Sequence, residues 1–237
     1  MLLGAFTFDG KPFTVSIPSL KPVGCGATAK VFVGQIVDNE DSQRVAVKVF
    51  GNMLEDHHQE LLIRELRAAR QVSISCHPSI LPFIGSASFG LQTAIVSPYM
   101  RNGNLLEYFK AHDDIGTVDK KKLILQVAQA VNHLHTVEGL VHGDLKCANV
   151  LVSDAEDALL ADFGLSTFVE KARTSPEILK DAAGQPARLR SKTRESDVYA
   201  FGMFILEAVT ERPPWADSDE FAVMHWMVRP SVPASIT

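Results

Sequence analysis

The residues best suited to chemistry cluster in His142-Gly143-Asp144-Leu145-Lys146-Cys147-Ala148-Asn149, with Asp162-Phe163-Gly164 following. An acid, a lysine two positions on and an amide five positions on supply a proton acceptor, a cation and a metal ligand in one short loop. Apolar runs bracket that loop, Gly139-Leu140-Val141 before it and Val150-Leu151-Val152 after it. A polar loop pinned between buried segments keeps its side chains in fixed relation. The spacing marks 142–149 as the centre of the chemistry.

Other elements must bring the remaining polar groups to it. Arg44–Phe50 alternates and is β-branched, which predicts a strand with Ala46 and Lys48 on one face. Glu55 to Val72 reads as a helix, with Leu62, Leu66 and Ala69 along one stripe and Glu65 beside them. A glutamate on a buried face is costly unless paired, and Lys48 is its natural partner. Glu60 falls toward solvent, and Arg64, Arg67 and Arg70 toward solvent or the lobe edge. In Val23–Val33, Gly24 and Gly26 permit a tight turn with inward N–H groups, a cradle for phosphates. Taken alone, the two glycines fit an ordinary hairpin better than a phosphate cradle.

The rest of the chain supplies framework. In residues 1–19, Phe6, Phe8 and Phe13 alternate loosely while Pro12 and Pro18 interrupt, so this stretch reads as an extension with one short strand at most. His77–Phe83 is a loop entering a strand, and His77 is read as structural. Thr93–Ser97 is a short strand, and Pro98–Asn104 breaks regularity as a linker between lobes. Leu105–Phe109 opens a short helix. Leu123, Val127, Ala130 and Leu134 form the core stripe of a longer one, with His133 and His135 on its surface. Ser196 is expected to cap a helix starting at Asp197 and apolar nearly all round, hence buried.

The 237-residue chain is 46% hydrophobic with a net charge of −5, which gives no electrostatic case for nucleic acid or an anionic membrane. Cys25, Cys76 and Cys147 form neither a metal-ligand spacing nor a disulfide framework. They point to a reducing, intracellular and cytoplasmic setting. Met1–Phe6 lacks the features of a signal peptide, and no stretch reaches the length of a membrane span.

Order and spacing together are far more specific than any one signal. From about Pro22 to about Pro230 the chain resembles a eukaryotic-type protein kinase domain. The resemblance is carried by Gly24-x-Gly26, Val45-Ala46-Val47-Lys48, Glu65, His142-x-Asp144, Asn149, Asp162-Phe163-Gly164, Ser175-Pro176-Glu177 and Ser196–Gly202. In texture it is closest to the tyrosine-kinase-like group, fungal members in particular. It implies a two-lobed α+β fold, with a small antiparallel β-sheet N-lobe carrying one helix and a mainly helical C-lobe. The implied domain is 20–237, with N-lobe 20–97, hinge 98–103 and C-lobe 104–237 lacking its last helices; 1–19 is the extension.

The resemblance also implies roles. Gly24 and Gly26 would cover the phosphates of ATP, and Lys48, oriented by Glu65, would hold them. Val31 and Ala46 would roof the adenine over Leu151, with Pro98 and Met100 bonding its edge. Ser97 would leave the space behind the purine open. Asp144 would accept the proton of a substrate hydroxyl, Lys146 would neutralise the transferring phosphoryl group, and Asn149 and Asp162 would hold Mg²⁺. Lys146 is the residue type of serine/threonine kinases. The implied partner is a protein substrate, met as a monomer or in transient complexes.

Four departures stand out. Ala29 takes the place of the third loop glycine. Gly143 stands where an arginine that pairs with a phosphorylated activation loop is expected. The stretch from Asp162 to Glu177 is short, and the chain lacks the later arginine that partners Glu177. Ala29, the short stretch and the missing tail keep a second reading open, a nucleotide-binding pseudokinase acting as an interaction module. A small-molecule phosphotransferase also uses His-Gly-Asp, but Asp162-Phe163-Gly164, Pro176-Glu177 and Ser196–Gly202 argue against it. With Gly143 in that position, ATP-dependent transfer is expected to be insensitive to phosphatase treatment. Loss of activity on stripping phosphate from residues 165–175 would refute this.

Overall fold

The computed structural model describes residues 2–8, 11–26, 29–37, 43–51, 56–89, 92–112, 118–168 and 192–214. Seven strands build the N-lobe: β1 (Leu2–Phe8), β2 (Lys11–Ile17), β3 (Gly24–Cys25), β4 (Ala29–Ile36), β5 (Arg44–Phe50), β6 (Gly85–Phe89) and β7 (Gln92–Pro98). They form one sheet in the order β2-β1-β6-β7-β5-β4-β3. All its pairings are antiparallel. A single long helix, α1 (Asp56–Ile74), lies between β5 and β6 in sequence.

The first seventeen residues depart from expectation. They contribute two strands, β1 and β2, where the sequence suggested one at most. Strand β2 also pairs with β4 through Val15↔Ile36 and Ser16↔Gln35, so the sheet curls until its β2 edge meets β4. Gly34 makes that closure possible, because a Cβ there would lie 2.7 Å from Val15 Cγ1. Val15, Ile17, Ile36, Val45, Val47, Ala94 and Val96 fill the interior. Asp9-Gly10, the pair between β1 and β2 in sequence, is a two-residue hairpin signal that would have revealed the second strand.

The C-lobe begins with α2 (Leu105–His112) and α3 (Lys120–His133). Asp119 caps α3 by accepting the Lys122 N–H. A π-turn, Leu134–Glu138, follows and ends at Gly139. Short strands β8 (Leu140–Val141), β9 (Val150–Val152), β10 (Ala158–Leu160) and β11 (Thr167–Phe168) pair as β8–β11 and β9–β10, and α4 (Arg194–Thr210) closes the described chain. The core gathers Leu105, Phe109, Leu123, Val127, Leu134, Leu140 and Phe204. Ala68 and Val72 of α1 join the same cluster, which fastens the helix of one lobe to the other. Backbone bonds from Leu81 N–H to Leu160 O and from Leu160 N–H to Ser79 O do likewise.

Three expectations for the C-lobe need correction. The cap of α4 is Thr193, whose hydroxyl accepts the Ser196 N–H while the Ser196 hydroxyl accepts the Thr193 N–H. The helix therefore starts at Arg194, ahead of Asp197. Nor is α4 buried all round. Val198, Tyr199 and Val209 are 63%, 58% and 61% exposed, while Asp197, Phe204, Glu207 and Ala208 form the buried stripe. That stripe is the face that meets α2, α3 and the Cys147–Asn149 turn. Finally, His135 is buried, because the π-turn inserts a residue into the helical period and swings it toward α4.

One-sided burial has a direct test. Phe204→Ala is expected to lower stability by about 3–5 kcal/mol. Val198→Ala on the exposed side should stay within about 0.5 kcal/mol of the parent. Urea denaturation of both variants decides it, and equal losses would refute the assignment.

Candidate active site

Strand β5 is bonded on both sides within the sheet, opposite β4 and β7, so its direction is fixed. Its alternation sends Ala46 and Lys48 to one face, where α1 presents Glu65. Lys48 Nζ donates to Glu65 Oε1 at 2.6 Å and to Asp162 Oδ1 at 3.1 Å. One ammonium thus joins the sheet, α1 and the segment after β10.

The electrostatics follow from this geometry. Burial pulls the Lys48 pKa down, but the two carboxylates outweigh it and leave it above the ordinary lysine value. Burial raises Glu65 above the usual carboxylate range against the opposing pull of Lys48. Burial would raise Asp162 as well, but Lys48 and the Gly164 N–H bring it below the usual value.

The second cluster is the loop between β8 and β9. Lys146 Nζ donates to Asp144 Oδ2 at 2.8 Å. The Asn149 side-chain amide donates to the same oxygen and to Asp144 O, both at 2.8 Å. Residues 147–149 form a 3-10 turn, which brings the amide back over the acid. Asp162 stands opposite with φ +64, a left-handed conformation held by Lys48 and Gly164.

His142 is fully buried beneath the loop. Its Nδ1 accepts the Asp144 N–H at 3.3 Å, so Nε2 carries the proton and donates to Ala161 O at 3.0 Å. Burial lowers its pKa, which favours this neutral form. The backbone N–H groups of His142 and Gly143 each donate to Asp197 at 2.8 Å. His135 Nε2 donates to Asp197 at the same distance. Farther along α4, Glu207 accepts the Cys147 N–H at 2.8 Å. Burial and Glu207 together push the Cys147 thiol up, which makes it an inert cysteine.

Between the lobes lies a cleft of about 240 Å³. It brings together Val31, Ala46, Lys48, Glu65, Asn149, Leu151 and Asp162 of the residues singled out in the sequence. It runs past Ser97 to Ala69, Phe83 and Ile95. Asp144 and Lys146 are outside its lining and joined to it through Asn149. Gly24 lies against Val31, whereas Gly26 borders a separate outer cavity of about 380 Å³ between β2, β4 and β5. Pro98 and Met100 lie where β7 leaves the sheet, Pro98 opposite Val45. Donors and acceptors fit a nucleotide with its cation: a fixed ammonium, side-chain oxygens of Asn149 and Asp162 that would hold the cation, and an apolar slot between Ala46 and Leu151. Ser175-Pro176-Glu177, Thr174 and Arg229-Pro230 lie outside the described residues, as do Glu55 and the side chain of Glu60.

Residues 17–233 match the family model for protein tyrosine and serine/threonine kinases. The chain belongs to this family. Similar curated proteins include the probable serine/threonine-protein kinase drkA of Dictyostelium discoideum, 29% identical over 89% of this chain and 33% of the relative. Another is the L-type lectin-domain containing receptor kinase I.7 of Arabidopsis thaliana, 29% identical over 81% of the chain and 29% of the relative. The chain spans about a quarter to a third of the length of the curated relatives it matches. No helix among the described residues is long and apolar enough to cross a membrane.

Sequence reasoning missed four supports of the kinase site: Asp197, His135, Glu207 and Ser166, whose hydroxyl donates to His142 O. Asp197 carried a signal, a charge at the head of an apolar helix. His135 carried none, because only the π-turn brings it inward.

Lys48→Met is expected to cost about 1.5–3 kcal/mol at neutral pH, because two carboxylates lose a charged donor. Without the lysine, the folded-state pKa of Glu65 rises further above its unfolded value. Stability then falls as pH climbs through that window, so the deficit should be largest at pH 7 and shrink toward pH 5. Urea denaturation of both proteins at the two pH values checks the sign. A deficit that grows on acidification would refute it.

Proposed function

We propose that this domain transfers the γ-phosphate of Mg·ATP to serine or threonine hydroxyls of a protein substrate. The observation that carries the reading is the convergence of two preformed clusters on one cleft, Lys48–Glu65–Asp162 and Asp144–Lys146–Asn149. Phosphoryl transfer needs positioning and charge placement more than covalent help, and these clusters supply both. Bound Mg·ATP contributes the transferable phosphoryl group and the neutralising cation charge.

The chain's own residues do the rest. Lys48 binds phosphate oxygens while Glu65 fixes its direction. Val31, Ala46 and Leu151 exclude water around the base, whose edge Pro98 and Met100 bond, and Gly24 and Gly26 shield the phosphates. Asn149 and Asp162 hold the cation. Lys146 and Asn149 both bond Asp144 Oδ2, so the carboxylate is oriented with Oδ1 toward the substrate hydroxyl, whose proton it accepts. We further place the domain at 20–237 in the tyrosine-kinase-like group, hinged at 98–103, with a short activation segment and the β1–β2 hairpin added to its sheet. A cytoplasmic setting fits this reading.

Measurement of Mg·ATP-dependent transfer to casein, with phosphoamino-acid analysis, tests the proposal. The parent should label serine and threonine. Asp144→Asn should lose at least about a hundredfold in rate while keeping ATP-induced thermal stabilisation. Equal transfer by both proteins, or none by either with ATP still raising the melting temperature, would leave the pseudokinase reading.

A further inference from the structure

We infer that Lys192 is a positioning residue, a latch that ties the stretch following Asp162-Phe163-Gly164 to the catalytic loop through the space left by Gly143. Lys192 directly precedes Thr193, the cap of α4, so the reciprocal Thr193–Ser196 bonds fix the start of its reach. Its Nζ donates to Leu165 O at 2.8 Å. To get there the side chain crosses the bare Cα of Gly143. A Cβ on that glycine would overlap Lys192 Cδ and lie 3.0 Å from Nζ and 2.8 Å from Leu165 O. Gly143 also has φ +77, a conformation other residues adopt only at a cost. Glycine at 143 and lysine at 192 are therefore two halves of one arrangement.

The stretch it holds is also tied through Ser166, whose hydroxyl donates to His142 O at 3.2 Å and whose N–H donates to Phe163 O at 3.0 Å, and at its far end. Thr167 and Phe168 pair with Val141 and Leu140, and the Arg67 guanidinium sits 4.7 Å over the Phe168 ring. Leu165 lies before that ladder, and its carbonyl is taken by Lys192. The ammonium is half-buried, and burial leaves its pKa below the ordinary lysine value, with Asp144 and Asp197 pushing it up and Arg64 adding to the fall. A resident cation bonded to a backbone carbonyl orders this stretch without any phosphate. The structural part of the proposal stands apart from the kinase activity; its catalytic consequence rests on that activity.

The test compares phosphatase-treated parent, Lys192→Met, which keeps the aliphatic stem, and Lys192→Arg, which keeps the charge. Hydrogen exchange over residues 163–168 is measured without nucleotide, and kcat and KM for ATP are measured with casein. Lys192→Met should exchange roughly tenfold faster and lose about tenfold in kcat, with KM for ATP changing less than about twofold. Lys192→Arg should restore both. Gly143→Ala should speed exchange of the same residues, and its combination with Lys192→Met should be less than additive. Unchanged exchange in Lys192→Met, or equal acceleration in the methionine and arginine variants, would overturn the latch. Should the parent transfer no phosphate while the exchange series behaves as expected, the latch stands and the kinase activity falls. Transfer by the parent with a flat exchange series means the reverse.

Discussion

The buried carboxylate of Asp197 sets the shape of the catalytic loop. It is fully inaccessible, and a carboxylate in that position is tenable only when its lone pairs are filled. The His142 and Gly143 amides and the His135 ring fill them. Asp197 also lies in the first turn of α4, where the helix dipole favours a negative charge. Withdrawal of any donor would leave a buried charge short of partners, so loop, π-turn and α4 hold one another in place. Glu207 repeats the device at the other end of the loop by taking the Cys147 amide. One helix grips both ends and leaves Asp144 and Lys146 between them, bonded to each other and partly exposed.

Lys48 plays the corresponding part between the lobes. Its two carboxylate partners sit on elements remote in sequence, α1 and the segment after β10. The pair with Glu65 is not a free gain in stability, because burial holds that acid above its ordinary pKa even beside the lysine. The gain lies in geometry. With Glu65 fixed, Lys48 has one direction available, and Asp162 is drawn into the same cleft. Gly164 matters here as well, since a Cβ on it would come within 3.0 Å of Glu65 Oε2.

Much of this was legible in the sequence. Strand β5 fell on its predicted residues, Arg44–Phe50, because β-branched alternation is a local signal. The Lys48–Glu65 pairing followed from the cost of an acid on a buried helix face. What escaped depends on contacts that local pattern does not encode. The β2–β4 closure needs Gly34 to meet Val15 across the sheet. The burial of His135 needs a π-turn that shifts the helical period. The exposed side of α4 escaped for the opposite reason: its sequence is apolar on every face, so only packing decides which side is covered.

The same geometry explains how Gly143 sits in a site whose other polar residues are intact. A loop anchored by backbone amides to Asp197 needs no side chain at 143 to keep its shape, since the Gly143 N–H is itself one of the anchors. The position has exchanged a side chain for a backbone conformation, φ +77, that costs a non-glycine residue about 1–2 kcal/mol. The bonds from Lys146 and Asn149 to Asp144 likewise involve no side chain at 143. Support from α4 beneath the loop therefore does not depend on a side chain at 143.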